Sequence, residues 1–176
     1  MDLAKQHIDI GLYTNQREEQ MAFWQGEIGL EFDHVGKLGG GVHQLRHHMN
    51  GSILKINHSR NPLPDLAPSG YRRLLIAKPD LTGVRSLRDP DGNAVDLVPM
   101  GHKGVVGIGI EISVSNLAAA KAYWVDALQF RTGDNDAVVA GNTVLFLKQD
   151  DSVTPTPDDK NAPGYRYATV QIQKCD

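Results

Sequence analysis

The first side chains with the types and spacing for chemistry are His7, Asp9 and Tyr13, at alternate positions of His7-Ile8-Asp9-Ile10-Gly11-Leu12-Tyr13. Successive side chains of a strand point to opposite faces. Ile8, Ile10 and Leu12 therefore make one apolar face, and His, Asp and Tyr line the other as the wall of a polar cavity. A second stretch, Gly107-Ile108-Gly109-Ile110-Glu111-Ile112-Ser113, sets Glu111 among glycines and opposite three isoleucines. Glycines on such a face leave room for a ligand or a close neighbour. In Ala94-Val95-Asp96-Leu97-Val98, Asp96 alternates with Val95 and Leu97 and can share the cavity face. His58 ends a further strand, beside Ser59-Arg60, where it can reach a cavity mouth.

One imidazole with one or two carboxylates suits Fe(II), Mn(II), Ni(II) or Zn(II) and leaves positions open for substrate oxygens. Two neighbouring oxygens of a small molecule would replace metal-bound water, and the cation would stabilise an enediolate or related oxyanion. Glu111 is the candidate general base, or a substitute ligand. Asp9, Tyr13 and His58 are candidate substrate contacts. The plainer readings are a polar strand start for His7, a turn-stabilising residue for Asp96 and a salt-bridged strand residue for Glu111.

Other tempting groups fall away. His47 and His48 are adjacent and point to opposite faces of a strand. His43 and His47 have helical zinc-pair spacing, but on a strand they stand about 13 Å apart. Gly39-Gly40-Gly41 precedes a strand rather than a helix and lacks the Lys-Ser/Thr ending of a phosphate cradle. Arg46, Arg72 and Arg73 can meet an anionic substrate group, with surface solvation as the ordinary alternative.

The elements that must position these residues occur twice, about 100 residues apart. Each copy opens with the alternating strand. A helix follows, carrying Phe23-Trp24 in the first copy and Tyr123-Trp124 in the second. Hairpins are expected around Asn50-Gly51 and Gly141-Asn142. Each copy then has a Pro-rich loop ending Gly-Tyr-Arg, at Gly70-Tyr71-Arg72 and Gly164-Tyr165-Arg166, and a further strand. Asp89-Pro90-Asp91-Gly92 suits a type I turn before the strand carrying Asp96. The pattern divides the chain into a first βαβββ module (1–100), a linker (101–105) and a second module (106–176) lacking the closing turn and strand. Either the chain is a fragment of a longer protein, or another chain supplies the missing edge.

Composition narrows the setting. A formal charge of −3 gives no electrostatic case for nucleic acid or an anionic membrane. The single cysteine, Cys175, excludes an intrachain disulfide and fits a reducing, cytoplasmic setting. An unfinished sheet edge favours a homodimer.

The Asp89-Pro90-Asp91-Gly92-Asn93 turn with an acidic residue three positions on, together with the His7-Ile8-Asp9 opening and the helix carrying Phe23-Trp24 and Gly29-Leu30, resembles the vicinal oxygen chelate superfamily of glyoxalase I, bleomycin-resistance protein and extradiol dioxygenase. The resemblance implies an α+β fold of paired βαβββ modules, forming a curved, cup-shaped mixed sheet with helices outside. It places His7 and Asp96 at metal-ligand positions, the latter where the family more often has Glu. Gly107 stands at the matching position of the second module and cannot ligate. The implied activity is a metal-dependent lyase or isomerase, or a ring-cleaving dioxygenase, acting on a small molecule with neighbouring oxygens. The alternative is a metal-free small-molecule-binding protein of the bleomycin-resistance type.

Overall fold

The computed structural model describes residues 3–134, 137–153 and 162–173. The expected Pro-rich loop of the second copy lies partly outside the described residues. The described residues form two mixed β-sheets with two short helices, an α+β architecture.

The first unit runs β1 (Asp9–Thr14), helix α1 (Arg17–Met21), β2 (Glu31–Gly39), β3 (Val42–Met49) and β4 (Ser52–Ser59). Helix α1 continues into a wider π-helical turn, Ala22–Glu27, which ends in long-reach bonds from Ile28 N to Phe23 O and from Leu30 N to Trp24 O. Gly29 follows with φ 74°, a left-handed position that suits glycine. Helix α2 (Leu117–Lys121, continuing through Ala122–Ala127) repeats this ending: Leu128 N bonds Tyr123 O, and Phe130 N bonds Trp124 O. At the matching position Gln129 takes φ 57°. The repeat seen in sequence therefore extends to the irregular geometry of the helix ends.

The remaining strands are β5 (Tyr71–Lys78), β6 (Arg85–Arg88), β7 (Ala94–Pro99), β8 (Ile108–Val114), β9 (Arg131–Thr132), β10 (Val138–Ala140), β11 (Thr143–Gln149) and β12 (Gly164–Thr169). Both expected hairpins form. Asn50 and Gly51 have φ 50° and 87°, as a two-residue turn of the primed type requires. The expected turn at Asp89 also forms, with Gly92 N bonded to Asp89 O at 2.8 Å.

Strand order divides the chain differently from the expected boundary at 101–105. The first sheet is β12-β1-β4-β3-β2, and the second is β6-β7-β5-β8-β11-β10-β9. The first βαβββ unit thus closes at Ser59. Strands β5 to β7 belong with β8 to β11, and β5 lies antiparallel to β8. Strand β12 crosses to the first sheet and lies antiparallel to β1. Alternation in a sequence reports which residues share a face, but not which strand lies alongside.

One core serves both sheets. Ile8, Ile10 and Leu12 of the first sheet pack in a single cluster with Leu74, Ile76, Ile108 and Ile110 of the second, together with Trp24 and Phe23 from α1. Trp24 is fully buried, and its indole N–H donates to Gln20 Oε1 at 2.6 Å. Gln20 in turn donates to Asp89, which accepts two N–H bonds from Asn93 and one from the Asp91 backbone. This chain ties the closing turn to α1. Among the described residues, no helix is long and apolar enough to cross a membrane.

Candidate binding site

The polar face anticipated for β1 is real, and its neighbours are β4, β3 and β12. Cross-strand pairing puts Gly11 beside Lys55 and Tyr167, Tyr13 beside Asn57, and Gln44 beside Asn57. Directly paired residues share a face, so Asp9, Tyr13, Gln44, Arg46, Lys55, Asn57 and Tyr167 converge on one surface.

Asp9 is 1% exposed and fully engaged. Lys5 Nζ lies 2.5 Å from Oδ1 and Lys55 Nζ 3.1 Å from Oδ2, while Ile53 N–H donates to Oδ1 at 2.9 Å. Burial pushes this carboxyl up. The Lys5 ammonium, the Ile53 N–H and Lys55 together outweigh it and hold Asp9 below the usual aspartate value. Asp9 is therefore the anion of a buried ion pair rather than a free substrate contact.

Beside it the face turns aromatic and amide-rich. The Tyr167 ring lies across β1 at Gly11, where an added Cβ would come within 2.1 Å of Cζ. Tyr13 meets Tyr167 edge to face at 6.4 Å between centroids. The Tyr167 hydroxyl accepts from Asn57 Nδ2 at 2.9 Å and from Gln44 Nε2 at 3.3 Å. Burial pushes the Tyr13 and Tyr167 hydroxyls above their ordinary values, so both stay protonated at neutral pH. Sequence reasoning passed over Lys55, Gln44, Asn57 and Tyr167. Alternation within β3 and β4 carried the signal for their shared face, but their neighbour β12 lies far along the chain.

His7 precedes β1, and its ring covers the β3–β4 turn: a Cβ on Gly51 would sit 2.5 Å from His7 Nε2. His58 has the parity of Leu54 and Ile56, so it lies on the face opposite Asn57. Its expected place at the cavity mouth is corrected accordingly. Burial, with the nearby Arg17, His43 and Arg60 charges, lowers its pKa.

Asp96 and Glu111 belong to the second sheet, where they share a face with Arg73. Asp96 Oδ1 accepts from Arg73 Nη1 at 2.7 Å. Glu111 Oε2 lies 2.8 Å from Lys148 Nζ. His7 is thus not brought to Asp96 or Glu111, because it stands beside the other sheet. Among the described residues, no three His, Cys, Asp or Glu side chains gather into a metal-binding group. The donor set implied by the resemblance does not fit a resident metal: each candidate carboxylate already has a cationic partner from the chain, and the imidazole lies elsewhere.

No protein-family model matches the sequence, and no curated protein matches it. Solved structures do. Glyoxalase I from Zea mays superposes with TM-score 0.64 at 12% identity, covering 93% of this chain and 72% of that one. A candidate dioxygenase from Bacillus subtilis gives TM-score 0.63 at 14% identity, over 84% of this chain and 64% of its own. The cppA protein of Streptococcus pneumoniae gives TM-score 0.58 at 9% identity, over 99% and 83%. The chain therefore shares the fold of these glyoxalase I and dioxygenase structures.

Proposed function

We propose that this chain binds a small organic molecule without a metal, on the polar face of the first sheet, in the manner of bleomycin-resistance proteins. One observation carries the reading. The three carboxylates best placed for metal chemistry, Asp9, Asp96 and Glu111, lie 2.5–2.8 Å from lysine or arginine nitrogens of the same chain. A cation would compete with these partners for the carboxylates. A glyoxalase-type lyase or extradiol-type dioxygenase step requires a metal at that place, and is the less supported reading. The face instead offers two phenols, two carboxamides and Arg46, groups that orient a ligand by hydrogen bonds.

Elemental analysis of protein made with added Fe, Mn, Ni and Zn tests the reading. Well under one divalent ion per chain is expected. A stoichiometric ion, lost in His7→Ala or Asp96→Asn, would overturn it in favour of the metal-dependent enzyme.

A further inference from the structure

The amide groups around Tyr167 can be assigned without ambiguity, and the assignment leaves one proton without a partner. Asn57 Nδ2 lies 2.9 Å from the backbone carbonyl of Leu12, which can only accept. That fixes the Asn57 amide: its NH2 faces Leu12 and Tyr167, and its oxygen accepts from Gln44 Nε2 at 3.0 Å. Gln44 is fixed from the other end as well, because its oxygen accepts from Arg46 Nη1 at 3.1 Å, and a guanidinium only donates. Both carboxamides therefore spend their N–H groups on acceptors, and two of those bonds end on the Tyr167 oxygen.

A phenol oxygen that accepts two N–H bonds has its own hydrogen left to give. Among the described residues, the Tyr167 hydroxyl donates to no protein acceptor. The ring is held flat over Gly11, so the hydroxyl is positioned before any ligand arrives. Accepting two donors also polarises the O–H bond and makes it a stronger donor. Arg46 brings its guanidinium to the same face, where Nε lies 3.6 Å from Asp33 Oδ2 and makes no hydrogen bond.

We propose that Tyr167 is the recognition donor for an anionic, acceptor-only oxygen of a small molecule bound on this face. The class follows from the parts. An unspent O–H on a face that also carries Lys55 and Arg46 selects an acceptor-only, negatively charged oxygen. The Tyr13 and Tyr167 rings, edge to face, make an apolar border beside it. The proposal rests on the metal-free reading of the site, but its test does not depend on metal content.

The test uses 4-nitrophenol, whose neutral and ionised forms absorb at different wavelengths, titrated in the presence of a chelator. The wild-type chain is expected to bind the phenolate and to lower its apparent pKa. Tyr167→Phe should weaken binding by about tenfold or more, as expected for loss of a hydrogen bond to a charged group. Gln44→Glu keeps the ring but supplies a carboxylate that accepts the Tyr167 hydrogen, and it should abolish the preference for the ionised form. Absence of phenolate binding to the wild type, or phenolate binding by Tyr167→Phe and Gln44→Glu as tight as the wild type's, would overturn the proposal. Either result leaves the metal-free reading to its own elemental test.

Discussion

Arg73 and Asp96 reach each other from the neighbouring parallel strands β5 and β7, with Nη1 2.7 Å from Oδ1. In the resemblance that first drew attention to Asp96, this carboxylate would face a cation from solution. Here a guanidinium from the next strand takes that place. Asp96→Asn should therefore leave divalent-metal content unchanged. The arginine is a third exposed, so the stability loss should not exceed about 1 kcal/mol. Elemental analysis and urea unfolding measure the two outcomes.

Asp9 is the opposite case. Its partner Lys55 is only 10% exposed, and the pair is deeply desolvated. Asp9→Ala would leave a buried ammonium without its counter-charge and the Ile53 N–H without its acceptor. A loss of about 3 kcal/mol or more is expected in denaturant unfolding. A loss below about 1 kcal/mol would contradict the buried-pair description.

Gly11 is required by the Tyr167 ring rather than by backbone conformation. A methyl group there would sit 2.1–2.5 Å from two ring carbons and the hydroxyl oxygen of Tyr167, so the ring must move off β1. Gly11→Ala is expected to cost about 1–3 kcal/mol and to break the Asn57–Tyr167 bond. The tyrosine resonances in an NMR spectrum report that displacement directly.

His47 sets an acid limit on stability. It is fully buried, its Nδ1 makes no hydrogen bond, and burial depresses its pKa against a smaller upward pull from the Leu45 backbone carbonyl. The folded chain holds it neutral, whereas the unfolded chain protonates it below about pH 6.5. Its contribution is complete above that pH and is lost as pH falls toward the depressed folded value. Asp89 acts in the other direction, because burial raises its pKa and the folded state keeps its proton longer. Comparing His47→Phe with the wild type isolates the first effect: the variant should lose less stability than the wild type between pH 6.5 and 5.

Much of this was legible in the chain itself. Alternation gave the buried face of β1 and β8 residue by residue, since Ile8, Ile10, Ile108 and Ile110 all enter the core. Asn50-Gly51 and Asp89-Pro90-Asp91-Gly92 carry local conformational preferences strong enough to fix their turns unaided. The partition into sheets was not legible, because hydrogen-bond partners such as β1 and β12 leave no periodic mark. His58 escaped for a different reason: nearness to a strand end says nothing of parity, although the parity it shares with Leu54 and Ile56 was there in the sequence. The lysine beside Asp9 was hidden because a carboxylate in an alternating strand reads the same whether its partner is a metal or an ammonium.

The placement of β12 beside β1 also sets an order of assembly. The second sheet draws every strand from Tyr71–Gln149, so its contacts become available together. Asp9, by contrast, must wait for Thr169. During synthesis the opening strand leaves the ribosome long before its outer neighbour exists, and closing so long a loop is slow. The nascent chain therefore exposes one unsheltered edge of β1 until β12 has been made.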